Sequence, residues 1–157
     1  MANRILVVDD HDVVRQGVLL ILRSHPEWEV VGEASDGFEA IAKTQSLHPD
    51  LIILDISMPR KDGLEVLAEL AQMKQHARGL ILTMHESKEL AAALESGGAS
   101  GYVVKTQAGR DLVPAVQNIL NGDTFFPSGS PPAPNLDPQP TPKKKSTGIF
   151  RVSVSRA

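Results

Sequence analysis

The run Leu51-Ile52-Ile53-Leu54, ending on Asp55, constrains the fold more than any other stretch of this sequence. Four aliphatic residues in a row, bounded by Pro49-Asp50 before and Pro59 after, read as a strand buried on both faces. Such strands belong to parallel sheets covered by helices on each side. The acid then sits where the strand leaves the core. In open parallel α/β sheets, ligands bind outside the carboxyl ends of the strands. Asp55 is therefore placed for chemistry, although alone it reads equally well as a loop cap.

The rest of the chain repeats this theme. Arg4 to Val8 is a short aliphatic strand that ends in Asp9-Asp10. Val13, Val14, Gly17, Val18, Ile21 and Leu22 follow at helical spacing, with Asp12 as the expected N-cap. Trp28 to Ala34 is a second strand, and Ser35-Asp36-Gly37 is turn chemistry before a second helix. After the central strand, Pro59 to Gly63 is a loop, and Leu64, Val66, Leu67 and Leu70 mark a third helix. Gly79 to Thr83 is a fourth strand, followed by a helix that Ser87 caps. Tyr102 to Val104 is a fifth, ending in Lys105. Asp111 is expected to open a last helix through Leu120, which Asn121-Gly122 stops; Pro114 is tolerable there only within the first turn. Five strand–helix alternations predict an α/β domain with one parallel sheet.

Right-handed crossovers bring all strand C-termini to one edge. That edge collects Asp9, Asp10, Asp55, Thr83 and Lys105. Three converging carboxylates repel one another and call for a cation. Hard oxygen ligands suit Mg²⁺, which takes one or two carboxylates, waters and phosphate oxygens. Lys105 adds a positive charge and Thr83 a hydroxyl, so the set describes a site for a tetrahedral dianion beside a metal. A carboxylate there can itself attack phosphorus, and the most central strand assigns that role to Asp55. The plainer alternative makes Lys105 a structural ion-pair partner for surplus acids. His11, His25, His48 and His76 are read as structural or exposed, because an imidazole offers little to Mg²⁺.

Asp9-Asp10, the run Asp50 to Asp55, Met58-Pro59 with Asp62-Gly63, Thr83, and Gly101-Tyr102-Val103-Val104-Lys105 together resemble the receiver domain of two-component response regulators. The likeness covers about residues 1–122. It implies a flavodoxin-like (βα)5 sandwich with strand order 2-1-3-4-5. It implies a phosphoryl group on Asp55, taken from a sensor histidine kinase or a phosphotransfer protein. It implies Mg²⁺ held by Asp10, Asp55 and the Ser57 backbone carbonyl, with Asp9 alongside, while Lys105 and Thr83 grip the phosphoryl oxygens. The implied switch moves Thr83 inward and lets Tyr102 turn from outside to inside. That reshapes the face of helix 4, strand 5 and helix 5, which then binds a partner or a second copy. Thr106 follows Lys105 where many members carry a cis-proline, so that bond is expected to be trans. His85 is an exposed loop residue or, less simply, a guide for the hydrolytic water.

Charge and composition set the remaining bounds. Residues 1–127 carry a net −7 and 128–157 a net +4, so the front is acidic and does not resemble a nucleic-acid surface. There is no cysteine, which excludes disulfides and thiolate chemistry. No run reaches the ~18 apolar residues of a membrane helix, and a cytoplasmic protein is the simplest expectation. Residues 1–127 form the expected receiver, and 128–157 an extended, disordered, proline-rich basic tail whose end, Phe150 to Ser155, alternates like a strand.

Val13 to Gly17, Leu82 to Ser87 and Phe125-Phe126-Pro127 resemble the subfamily that couples a receiver to a helix-turn-helix module. Three functions follow as expectations. The first is a stand-alone receiver that is not an enzyme in the ordinary sense and acts through protein contacts. The second is a transcriptional regulator reduced to its input half. The third is an aspartyl-phosphate hydrolase, which is disfavoured because Ser57 stands where such enzymes place a second acid.

Overall fold

A computed structural model of the chain describes residues 2–127. The expectations for the tail, 128–157, lie outside the described residues. The elements alternate as β1 (Asn3–Val8), α1 (Asp12–Arg23), β2 (Trp28–Ala34), α2 (Gly37–Leu47), β3 (Leu51–Asp55), α3 (Gly63–Gln72), β4 (Arg78–Thr83), α4 (Lys88–Ser96), β5 (Gly101–Val104) and α5 (Ala108–Leu120). A single 3-10 turn, Lys105–Gln107, joins β5 to α5. The five strands form one parallel sheet in the order β2-β1-β3-β4-β5, the flavodoxin-like arrangement expected.

Strand alternation sorts the sheet's side chains into two cores. Leu6, Val8, Ile52, Leu54, Ile81 and Tyr102 face α2, α3 and α4, where they meet Ala40, Val66, Leu67 and Leu94. Ile5, Val7, Leu51, Ile53, Leu80 and Val103 face α1 and α5, where they meet Val18, Leu22, Leu112 and Val116. Every residue of β3 is buried, so its apolar run needs no polar face. Full burial of each aliphatic side chain contributes about 1.5–3 kcal/mol before chain entropy is counted. No helix among the described residues is long and apolar enough to cross a membrane.

Register levels the functional ends. Val8 pairs with Leu54, Asp55 with Leu82, and Thr83 with Val104. The residues at or just after these positions therefore emerge side by side.

The termini differ from expectation in five places. Helix α1 begins at Asp12, and His11, not Asp12, is the N-cap, without a side-chain cap bond. The Asp12 carboxylate is instead taken by the Arg15 guanidinium at 2.7 Å. The last helix opens at Ala108, three residues before Asp111, so Pro114 lies in its interior and not in its first turn. Proline there leaves the Arg110 carbonyl without its usual donor. Both residues are exposed, so water can supply the missing bond. The strands β1, β4 and β5 each start one residue earlier than expected. The other caps follow the sequence: Asp36 accepts from Glu39 N–H, Asp62 and Glu65 form a capping box, and Ser87 accepts from Leu90 N–H.

After α5 the chain returns to the open edge of β5. Phe125 N–H donates to the Ser100 carbonyl at 3.0 Å, and Tyr102 N–H donates to the Phe125 carbonyl at 2.9 Å. Covering an edge in this way removes unpaired backbone groups. The approach is close: a Cβ on Gly101 would lie 2.3 Å from the Phe125 carbonyl oxygen. Gly101→Ala should therefore push the 121–127 segment away and cost on the order of 2 kcal/mol, read as a lower midpoint in thermal or urea unfolding. An unchanged midpoint would contradict this packing.

Candidate functional site

The rim is built on short, rigid connections. β1 ends at Val8, and Asp9, Asp10 and His11 form the turn into α1. His11 N–H donates to Asp9 Oδ1 at 2.7 Å, which folds the turn back on itself. Arg15, one helical turn into α1, holds the same loop from outside. Its guanidinium donates to the Asp9 backbone carbonyl at 2.6 Å and to Glu33 Oε1 on β2 at 3.1 Å, besides its bond to Asp12. Nothing in the spacing of the sequence singles out Arg15, since its acceptors lie on three different elements.

Asp9 and Asp55 are buried, at 0% and 1% exposure. Lys105 reaches both from the end of β5: its Nζ lies 3.0 Å from Asp55 Oδ2 and 3.1 Å from Asp9 Oδ2, with the side chain 4% exposed. Buried ion pairs gain strong attraction but lose hydration, so removing one partner is far costlier than removing a surface pair. Ser57 N–H, from the exposed loop after β3, donates to Asp55 Oδ1 at 3.0 Å. That leaves Asp55 Oδ2 free of any directed donor, together with Asp9 Oδ2 and Asp10 Oδ1. The Lys105 contacts are close in distance but not aligned as hydrogen bonds to these oxygens.

Burial raises the Asp55 pKa from 3.8 to about 6. Desolvation is the largest cause; the Ser57 N–H and Lys105 pull the value down, and the charge of Asp9 pushes it up.

Thr83 sits on the same rim and is buried, but its hydroxyl is turned along its own loop. It donates to the His85 carbonyl at 2.8 Å. Tyr102, on the edge strand β5, is fully buried and packs edge-on against Phe126 with ring centres 6.1 Å apart. The structure thus brings Asp9, Asp10, Asp55 and Lys105 into direct proximity, with Thr83 beside them and Tyr102 on the neighbouring edge strand, β5.

His11 is exposed, as expected, but its Nδ1 is not aimed at solvent. Its ring is 58% exposed, yet Nδ1 turns inward, to 3.1 Å from Asp9 Oδ1, 3.3 Å from Asp10 Oδ1 and 3.6 Å from Asp55 Oδ2. Asp9, Asp10, His11 and Asp55 each offer a ligand atom, and all four atoms lie within 4.8 Å of one another. The orphaned, inward-facing carboxylate oxygens are what a hard divalent cation would satisfy, so the donor set fits Mg²⁺. A polar cavity of about 320 Å³, lined by His48, Asp50, His76 and Arg78, lies at the other end of the strands and includes none of the rim residues.

A sheet in this order with these acids at its carboxyl edge defines a receiver, and comparison with known proteins agrees. The family model described as response regulator receiver domain matches residues 5–117, and the chain belongs to that family. Its relatives include the DNA-binding transcriptional activator DevR/DosR of Mycobacterium tuberculosis, 40% identical over 123 residues, which are 78% of this chain and 57% of that one. The transcriptional regulatory protein DegU of Brevibacillus brevis is 34% identical over 123 residues, 78% of this chain and 52% of its own. Among solved structures, a LuxR-family two-component response regulator from Aurantimonas sp. superposes with a TM-score of 0.77 at 35% identity. That match covers 82% of this chain and 91% of the other. The chain spans little more than half the length of these curated relatives.

Two predictions follow from the geometry. The folded pKa of Asp55 lies above its unfolded value, so the folded protein holds the proton more tightly between pH 3.8 and about 6. The ionised side chain therefore costs stability above about pH 6 and nothing below pH 3.8. In metal-free buffer, Asp55→Asn should be more stable than wild type at pH 7.5, by on the order of 1–2 kcal/mol, and equal to it near pH 3.5. Denaturant melts at the two pH values check this, and a pH-independent difference would contradict it. Arg15→Ala frees the Asp9 loop and should weaken Mg²⁺ binding several-fold, measured by calorimetry, with a smaller loss of fold stability.

Proposed function

We propose that this chain is a phosphoacceptor switch in a phosphorelay, with Asp55 as the acceptor. The observation that carries the reading is the Asp55 carboxylate, 1% exposed, with one oxygen held by Ser57 N–H and the other facing Lys105. A pKa near 6 leaves it mostly ionised at neutral pH and more basic than an ordinary carboxylate, which favours attack on phosphorus. The donor is a phosphohistidine on a sensor histidine kinase or phosphotransfer protein. The new oxygen–phosphorus bond forms as the donor's phosphorus–nitrogen bond breaks, with its electron pair returning to the imidazole.

The reacting phosphoryl group passes through a loose transition state, so positioning and charge neutralisation supply most of the rate. Lys105 neutralises charge from one side. Asp9 and Asp10, with Asp55 and the Ser57 carbonyl, are the residues that would hold Mg²⁺. When bound, the metal shields the carboxylates from one another and from the incoming phosphoryl oxygens. Ser57 N–H keeps the carboxylate oriented throughout.

The output step follows from Thr83. Its hydroxyl donates to a neutral carbonyl, and a phosphoryl dianion on Asp55 is a far stronger acceptor. Turning toward it would release the His85 loop and alter packing beside Tyr102, which already occupies the inward position. Phosphorylation then biases a pre-existing equilibrium of the α4-β5-α5 face toward a form that binds a partner or a second copy.

A second reading has its own support. The chain spans 52% to 57% of relatives that include a DNA-binding activator, so this domain can serve as the input half of a longer regulator. No part of the acidic described domain is proposed to contact DNA itself.

The test is labelling with a small phosphodonor and Mg²⁺, followed by intact mass. Wild type should gain one phosphoryl group and Asp55→Ala none. Lys105→Ala should label about tenfold more slowly or worse. Thr83→Ala should accept phosphoryl but lose phosphorylation-dependent partner binding. Equal labelling of wild type and Asp55→Ala would end the proposal.

A further inference from the structure

The imidazole of His11 has no role in the function proposed above, yet its Nδ1 stands among the acids. The placement is built in: the bond from His11 N–H to Asp9 Oδ1 fixes the turn, and the side chain folds over it. From this position Nδ1 faces three carboxylates at 3.1, 3.3 and 3.6 Å, and the Lys105 ammonium at 3.2 Å. No proton placement suits all of these neighbours. A proton on Nδ1 can bond a carboxylate but then faces the ammonium. A lone pair can accept from Lys105 but then faces three acceptors.

A dication ligated by Nδ1 and the carboxylates gives all of these acceptors one partner, provided that it displaces the Lys105 ammonium from its place 3.2 Å from Nδ1. Nδ1 lies 3.1, 3.3 and 3.6 Å from the three carboxylates, and all four candidate ligand atoms fall within 4.8 Å of one another, so a small inward shift of the acids would let one ion reach them all. Independently of the clustering, Asp9 and Asp55 are 0% and 1% exposed and each aims an oxygen without a directed donor into the site. Resting on the reading of these carboxylates as a cation site, we propose that His11 Nδ1 is a further metal ligand. It makes the rim a site for borderline divalent ions such as Zn²⁺ and Co²⁺, in competition with Mg²⁺.

The chemistry separates the two classes of ion. Mg²⁺ prefers oxygen and keeps its water, so it gains little from an imidazole. Zn²⁺ and Co²⁺ bind imidazole nitrogen well. His11 therefore sets selectivity and does not set Mg²⁺ affinity. Because the same carboxylates serve both ions, Zn²⁺ at the rim would also occupy the oxygens that phosphorylation needs.

The experiment is calorimetric titration of the full chain with Zn²⁺, Co²⁺ and Mg²⁺, using wild type, His11→Ala and Asp55→Asn, each checked for folding by circular dichroism. The visible spectrum of bound Co²⁺ provides a second readout of ligand type. His11→Ala should lose about tenfold or more in Zn²⁺ and Co²⁺ affinity, change the Co²⁺ spectrum, and keep Mg²⁺ affinity within about twofold. Asp55→Asn should weaken all three ions. Unchanged Zn²⁺ affinity and Co²⁺ spectrum in His11→Ala would overturn the proposal and leave the Mg²⁺ reading standing. Equal losses for all three ions would overturn it too, because His11 would then act on the loop and not as a ligand. Failure of wild type to bind any of the ions would remove the cation-site reading itself.

Discussion

The Lys105 ammonium, wedged between Asp9 and Asp55 at 3.1 and 3.0 Å, is the interaction on which the site depends. Two buried carboxylates this close to each other cannot both stay ionised without opposite charge nearby. One lysine offsets part of that charge and leaves the site net negative. Burial first, and the Asp9 charge after it, raise the affinity of Asp55 for a proton, and Lys105 offsets this only in part. A core built only for stability would not keep three carboxylate oxygens without directed donors.

The scaffold makes such a costly arrangement possible by separating packing from chemistry. Both faces of the sheet are sealed by aliphatic side chains, so the strands' ends are fixed in register independently of the acids. Asp9, Asp55, Thr83 and Lys105 come from four different strand ends, far apart in sequence. Parallel topology places them on one rim, and Arg15 ties the most crowded loop to α1 and β2. The Thr83 hydroxyl is bonded within its own loop, and the β5 edge carries a segment docked through two backbone hydrogen bonds.

Much of this was legible in the sequence because it rests on local patterns. The limits of β2 and β3, the stop after α4 and the caps at Asp36, Asp62 and Ser87 depend on neighbouring residues alone. The convergence of Asp9, Asp10, Asp55 and Lys105 followed from topology once the strands were recognised. Where the reading erred, a particular contact or turn had overridden the residue pattern. Asp12 is not the N-cap because Arg15 claims its carboxylate. Pro114 sits inside α5 because the 3-10 turn after β5 starts the helix early and the exposed side tolerates a lost bond. His11 is exposed as read, but the inward turn of its Nδ1 comes from a backbone turn that has no signature in residue type. The inward position of Tyr102 could not be read from position at a strand's end.

The central claim is that distant carboxylates and one ammonium form a single cation-accepting rim. Titration of ¹⁵N-labelled protein with Mg²⁺, followed by amide chemical shifts, tests it most directly. The account predicts saturable shifts concentrated at residues 9–11, 55–58, 83–85 and 105, and their loss in a protein carrying Asp10→Asn and Asp55→Asn together. Shifts scattered over the acidic surface without saturation, or centred at the opposite ends of the strands near His48 and His76, would contradict it.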